Sequence, residues 1–180
     1  MKNNTFTIAV ITLFSLVVTQ TFALDIEKGK FDKSQVKFTQ GEQKEVVLNS
    51  IPRKTKSFKL NDTEYFCHQG NFFIEKDEKY ILVEPPIGLK VKNLCEGYER
   101  IIRGGAVVYY VNGNFYYQKP KSKGFTIVHG PIGAQVSEIP KNSVKATIKG
   151  QEYFIYFNTI FKATPTRTRD LYTLTGYIES

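Results

Sequence analysis

From residue 61 onward the hydrophobic positions fall in short runs rich in aromatic and β-branched residues, cut at intervals by Gly, Asn, Pro and Lys. That pattern predicts β-strands joined by turns. No segment past the first two dozen residues keeps a 3.6-residue period, so no helix is expected there. The clearest element is Val107-Val108-Tyr109-Tyr110-Val111, then Asn112-Gly113, then Asn114-Phe115-Tyr116-Tyr117-Gln118. Asn-Gly between two strand-like runs predicts a tight hairpin, because a type I′ turn needs positive φ at both central residues.

The hairpin recurs. Tyr65 to Phe73 aligns with Val108 to Tyr116 at an offset of 43 positions, and with Tyr153 to Phe161 at an offset of 88. The turn positions are Gln69-Gly70, Asn112-Gly113 and Phe157-Asn158, and Gly and Asn both tolerate positive φ, so a turn is expected in all three copies. A second block, Val83-Glu84-Pro85-Pro86-Ile87-Gly88, returns 45 positions later as Val128-His129-Gly130-Pro131-Ile132-Gly133. The two extra positions fall in the polar loop that separates hairpin from returning strand, where length varies most easily. Proline removes a ladder donor, so these blocks mark corners. Self-similarity at this period predicts one supersecondary unit used several times.

The expected organisation is a signal segment over residues 1–23, a polar basic lead-in over 24–60, and β-repeats over 61–103, 104–148 and 149–180, the last a truncated cap. Such a unit is too small to bury its own apolar face, so units must share a core or exchange strands. The expected fold is all-β, built of tandem hairpin or meander repeats forming SH3-like or open-barrel units. Within the lead-in, Gln35–Thr39 and Glu45–Leu48 are strand candidates around Gln40-Gly41-Glu42, which reads either as a hairpin docked on the repeats or as an N-terminal arm.

Lys2, an apolar stretch from Ile8 to Val18, and Thr21 and Ala23 at the −3 and −1 positions give the first 23 residues the form of a secretory signal cleaved before Leu24. A retained anchor is the competing reading, although Thr12 and Ser15 interrupt the stretch and it is short for a bilayer span. The expectation is an exported protein, periplasmic or secreted, with no transmembrane segment after cleavage.

The 25 Lys and Arg residues exceed the 17 Asp and Glu residues, for a net charge of +8, of which cleavage removes Lys2. The excess suits anionic partners such as acidic glycans or lipid head groups, and it equally keeps a secreted chain in solution. Nucleic acid is a less natural partner for an exported chain. In an oxidising compartment Cys67 and Cys95 are expected to form a disulfide that staples the first unit, since neither has a cysteine counterpart in the other repeats. Closing such a loop contributes roughly 3 to 4 kcal/mol on chain-entropy estimates. Two free thiols, or one reactive nucleophile, are the alternatives.

Candidate catalytic chemistry is sparse. His68 and His129 are the two histidines, and Cys67-His68 on one strand would point to opposite faces. Paired zinc-ligand spacings are missing, and Gly104-Gly105 precedes a strand instead of a phosphate-cradling helix. No catalytic residue, metal or cofactor is assigned. The aromatic runs offer more. Consecutive aromatics on a strand must occupy both faces, so they pack on two neighbours or leave one face exposed. An exposed face at Tyr109, Tyr110, Tyr116 and Tyr117, with Lys119 and Lys121 beside it, would stack on sugar rings, peptide or another protein.

Val107 to Tyr117, Val83 to Gly88, Val128 to Gly133 and, more weakly, Glu152 to Phe161 resemble a family of exported bacterial proteins of unknown function. Its repeats carry Tyr-Tyr-x-x-Gly-x-Tyr-Tyr and Pro-Pro-x-Gly patterns, and the similarity spans roughly residues 61 to 162. Phe72-Phe73 and Ile160-Phe161 stand where that pattern has tyrosines, and the cysteine pair and the lead-in have no counterpart. The resemblance implies an envelope or secreted β-protein with small SH3-like or meander units, and transfers no site residues. Taken together, these features lead to the expectation of a non-catalytic structural or binding module of the cell envelope, with an envelope polymer or envelope protein as partner. The alternative is a hydrolase acting on an envelope polymer.

Overall fold

The computed structural model describes residues 29–179, so the expected signal segment and its cleavage point lie outside the described residues. The lead-in contributes β1 (Lys30–Asp32), a single 3-10 turn (Lys33–Gln35), β2 (Val36–Phe38) and β3 (Val47–Leu48). The first repeat follows as β4 (Lys56–Leu60), β5 (Thr63–His68), β6 (Asn71–Lys76) and β7 (Lys79–Val83). After the first corner come β8 (Lys90–Val91), β9 (Glu99–Arg103), β10 (Ala106–Val111), β11 (Asn114–Tyr117) and β12 (Phe125–Val128). After the second corner come β13 (Gln135–Val136), β14 (Val144–Ile148), β15 (Gln151–Tyr156), β16 (Thr159–Pro165) and β17 (Asp170–Glu179). The fold is all-β, as the turn-punctuated pattern predicts.

Each unit is a four-stranded antiparallel meander with a short fifth strand added beside its last member. β3 pairs with β7, β8 with β12 and β13 with β17. β8 and β13 follow the corners of one unit in sequence but hydrogen-bond into the sheet of the next. Strand exchange therefore links the units, and the strand-paired units run from β3 to β7, β8 to β12 and β13 to β17. They begin earlier than the sequence boundaries at 61, 104 and 149, because sequence similarity is strongest at the hairpins and a two-residue strand leaves little pattern of its own.

The lead-in strands do not form a hairpin with each other. β2 pairs with β14 at one end of the third sheet, β1 pairs in parallel with β17 at the other, and β3 joins the first sheet. Because only Lys33–Gln35 separates β1 from β2, the third sheet is nearly closed on itself as a barrel. The third unit has no Pro-Ile-Gly corner, yet its last strand is the ten-residue β17, which carries pairings to β1, β13 and β16.

The middle sheet has two covered faces. Cys67, Phe72, Val111, Tyr116 and Ile127 share one cluster between the first and second sheets. Val108, Tyr110, Phe115, Phe161 and Leu174 share another between the second and third. Neighbouring residues fall on opposite sides, Tyr110 from Val111 and Phe115 from Tyr116, as the strand period of two requires. A third cluster, including Val36, Ala146, Ile155, Ile160 and Ile178, fills the inside of the terminal barrel against the lead-in.

The hairpin turns add close contacts between units. Gly70 has φ +82° and Gly113 φ +90°. A Cβ on Gly70 would fall 2.8 Å from Val111 Cγ1, and one on Gly113 would fall 2.5 Å from the Tyr156 ring. Val111 and Tyr156 are equivalent positions one unit on, so the same turn-on-strand contact occurs twice. Asn114 Nδ2 donates to the Gly70 carbonyl at 2.8 Å, and Asn112 Nδ2 to Asn71 Oδ1 at 2.8 Å. The third turn departs from the expected chemistry. Its positive φ, 50°, sits on Phe157 and not on Asn158, and the Phe157 N–H donates to Gln43 Oε1 at 2.8 Å.

Candidate functional site

Tyr109 is the only one of the four predicted surface tyrosines that belongs to an aromatic array reaching the surface. It lies on β10 opposite Arg100 of β9. Its ring meets Tyr98 edge-on at 5.6 Å and Phe125 edge-on at 5.3 Å between centroids. The three rings form a ladder that climbs out of the core. Tyr109 and Phe125 are half-buried against the cluster between the first two sheets, whereas Tyr98 is 52% exposed. Ile102, two residues beyond Arg100 on the edge strand β9, is 63% exposed. Edge-to-face aromatic pairs gain roughly 0.5–1.5 kcal/mol beyond their burial, which holds the array in place without a ligand.

The other predicted residues are placed differently. Tyr110 is 3% exposed between the second and third sheets, where its hydroxyl donates to the Glu138 carbonyl at 3.0 Å. Tyr116 is 3% exposed between the first and second. Burial raises the pKa of both phenols. These two cannot stack on an external partner, because both faces of the middle sheet are covered. Tyr117 is half-buried next to them, and Lys119 and Lys121 are exposed on the loop that leads into Phe125. The tyrosine-rich hairpin is thus mostly core, and the surface end of the array is supplied by Tyr98 and Phe125. Neither is in a tyrosine run, which is why the sequence pattern passed over them; Gly97-Tyr98 just before a predicted strand is the signal that was there.

Cys67 and Cys95 are free thiols, with their sulfurs 3.9 Å apart, well beyond the roughly 2.05 Å of a bonded pair. Cys67 is on β5 of the first sheet, while Cys95 sits in the connection between β8 and β9, which belong to the second. The expected staple within one unit is therefore a contact between two units. Cys67 is the deeper of the two and keeps its proton, donating it to Cys95. That hydrogen bond lowers the Cys95 pKa to about 6 against the opposing effect of desolvation, with Lys56 and His68 adding smaller favourable contributions.

Polar groups also gather where the third hairpin meets the corners. Asn158 Nδ2 donates to Glu84 Oε2 at 2.9 Å. His129, the repeat equivalent of Glu84, packs its ring 4.6 Å from that of Tyr177, and partial desolvation lowers its pKa. The Tyr177 hydroxyl accepts from Gly130 N at 2.6 Å and donates to Gly130 O at 3.1 Å. These partners pin the second corner to the last strand. Among the described residues, no group of three or more His, Cys, Asp and Glu side chains is arranged to hold a metal ion. No helix among them is long and apolar enough to cross a membrane.

A family described as a family of unknown function (DUF6515) matches residues 42–176, which runs from ahead of β3 to within β17 and leaves out only the last three residues of the third meander. The chain belongs to this family. No curated protein and no solved structure matches it. The match begins at residue 42, so β1 and β2, the two strands that close the third sheet, lie outside it.

Proposed function

We propose that this member of the family is an exported, non-catalytic binding module of the cell envelope that holds an envelope polymer on the Tyr98–Tyr109–Phe125 ladder. The observation that carries the reading is the exposed end of that ladder. Tyr98 presents an aromatic surface to solvent, anchored through Tyr109 to the core, with Arg100 opposite Tyr109 on the neighbouring strand. Aromatic faces stack on the apolar faces of sugar rings, and a neighbouring guanidinium adds attraction for acidic substituents. The signal-like first 23 residues support a periplasmic or secreted location, and the basic charge suits an acidic polymer. In that oxidising setting Cys67 and Cys95 close to a disulfide joining the first two units.

Co-sedimentation of the protein with purified, insoluble envelope polymers tests the proposal. Retention that falls in Tyr98→Ala and Arg100→Ala variants supports it, and passage of the wild-type protein into the supernatant with every polymer refutes it. The same incubation discriminates the hydrolase alternative, since release of soluble fragments would replace binding by turnover.

A further inference from the structure

The three units do not meet in three equivalent ways. Between the third unit and the first lies a half-open cavity of about 430 Å3, with residues 42–46 along one side. Its floor is apolar and drawn from distant parts of the chain: Phe38 of β2, Leu82 of β7, Ile155 of β15, Ile178 of β17 and the Phe157 ring from the third hairpin turn. Phe157 is held there in a left-handed backbone conformation that bulky residues rarely adopt, fixed by its hydrogen bond to Gln43 and by its ring contact with Tyr156 at 4.6 Å. The volume lies within the roughly 300–1,000 Å3 of small-ligand sites, which are mostly apolar with a few polar groups that set orientation.

The rim narrows the ligand class. It carries two lysines, Lys33 and Lys44, and three glutamates, Glu42, Glu45 and Glu179. With Lys30 paired to Glu179 the rim is charge-balanced although the chain carries a net +8, so it offers no excess positive charge to a fatty carboxylate or a polyanion. Lys33 lies 3.9 Å from Glu42, and Glu179 lies 3.2 Å from Lys30. Lys44 and Glu45, by contrast, make no ion pair among the described residues. One unpaired charge of each sign above an apolar floor complements a zwitterion with an apolar body.

We infer that this seam is a second binding site, and that its ligand is a short apolar peptide with free ends, its side chains on the Leu82, Ile155 and Phe157 floor and its termini at Glu45 and Lys44. The site is separate from the aromatic ladder, and its test uses a different ligand.

Isothermal titration of the folded protein with the free tripeptide Leu-Phe-Leu is expected to give saturable heat. The same peptide acetylated and amidated at its ends should bind at least about 10-fold more weakly, since both charged contacts are lost. Val46→Trp fills the opening, and Glu45→Lys reverses one exposed charge with little risk to the fold; each should weaken binding by about 10-fold or more. Tyr98→Ala should leave the titration unchanged. Absence of heat with millimolar peptide, equal affinity in both variants, or tighter binding of dodecanoate than of the peptide would overturn the assignment.

Discussion

Cys67 Sγ lies 3.9 Å from Cys95 Sγ, and the two residues belong to different units of the repeat. Both fall within the first repeat, 61–103, as its bounds read from the sequence, which predicts a staple within one unit, but β8 crosses into the second sheet and carries Cys95 with it. A bond between them would lock the first interface between units. Oxidation of the purified protein is expected to remove two hydrogens from the intact mass and to raise stability by roughly 3 kcal/mol relative to the reduced form. An unchanged mass, or a disulfide that leaves the denaturation midpoint where it was, would contradict the pairing.

The same geometry sets thiol reactivity. With its pKa near 6, Cys95 is expected to be largely thiolate at neutral pH, while Cys67 keeps its proton. Iodoacetamide should therefore modify Cys95 first in the reduced protein, with a rate that falls as pH drops through about 6. Peptide mapping showing Cys67 labelled first would reverse the assignment of donor and acceptor.

Gly113 has two reasons to be glycine, and Gly97 has one. Both have positive φ, but a Cβ at Gly113 would meet the Tyr156 ring at 2.5 Å, whereas nothing lies within 4 Å of one at Gly97. Gly97→Ala should cost about 1 kcal/mol of backbone strain. Gly113→Ala should cost at least about 2 kcal/mol more, because packed strands do not yield easily to an added methyl. Urea unfolding of the two variants gives the comparison, and equal losses would mean that the contact between the second and third units is not tightly packed.

Tyr177→Phe keeps the ring against His129 but removes the hydroxyl that both accepts from and donates to Gly130. The Gly130 groups are then left without those partners, at an expected cost of about 1–3 kcal/mol. Thermal melts of this variant should fall clearly below wild type. A neutral substitution would show that solvent replaces the phenol at the second corner.

Most of the strand layout was readable because its signals are local. Val107 to Tyr117 announces a hairpin through two short aromatic and β-branched runs around Asn112-Gly113, and the corners announce themselves through proline. The partners of the short strands were not readable in the same way. Val47-Leu48 and Lys90-Val91 carry two residues each, and whether they close the unit before them or the unit after depends on packing between sheets. For the site the limit was different. A tyrosine looks the same in a core and on a surface, so Tyr110 and Tyr116 were indistinguishable from Tyr109 until both faces of β10 and β11 proved to be covered. Tyr98 and Phe125 became candidates only when folding brought their rings to Tyr109.

One binding measurement bears most directly on the ladder: retention of the protein on purified envelope polymers, compared between wild type and Tyr98→Ala. Tyr98 is 52% exposed at the end of the ladder, so its replacement should lower the melting temperature by only a few degrees, the loss of its pair with Tyr109, while weakening retention severalfold. Retention unchanged in a folded Tyr98→Ala protein would contradict the claim that the ladder is the binding surface.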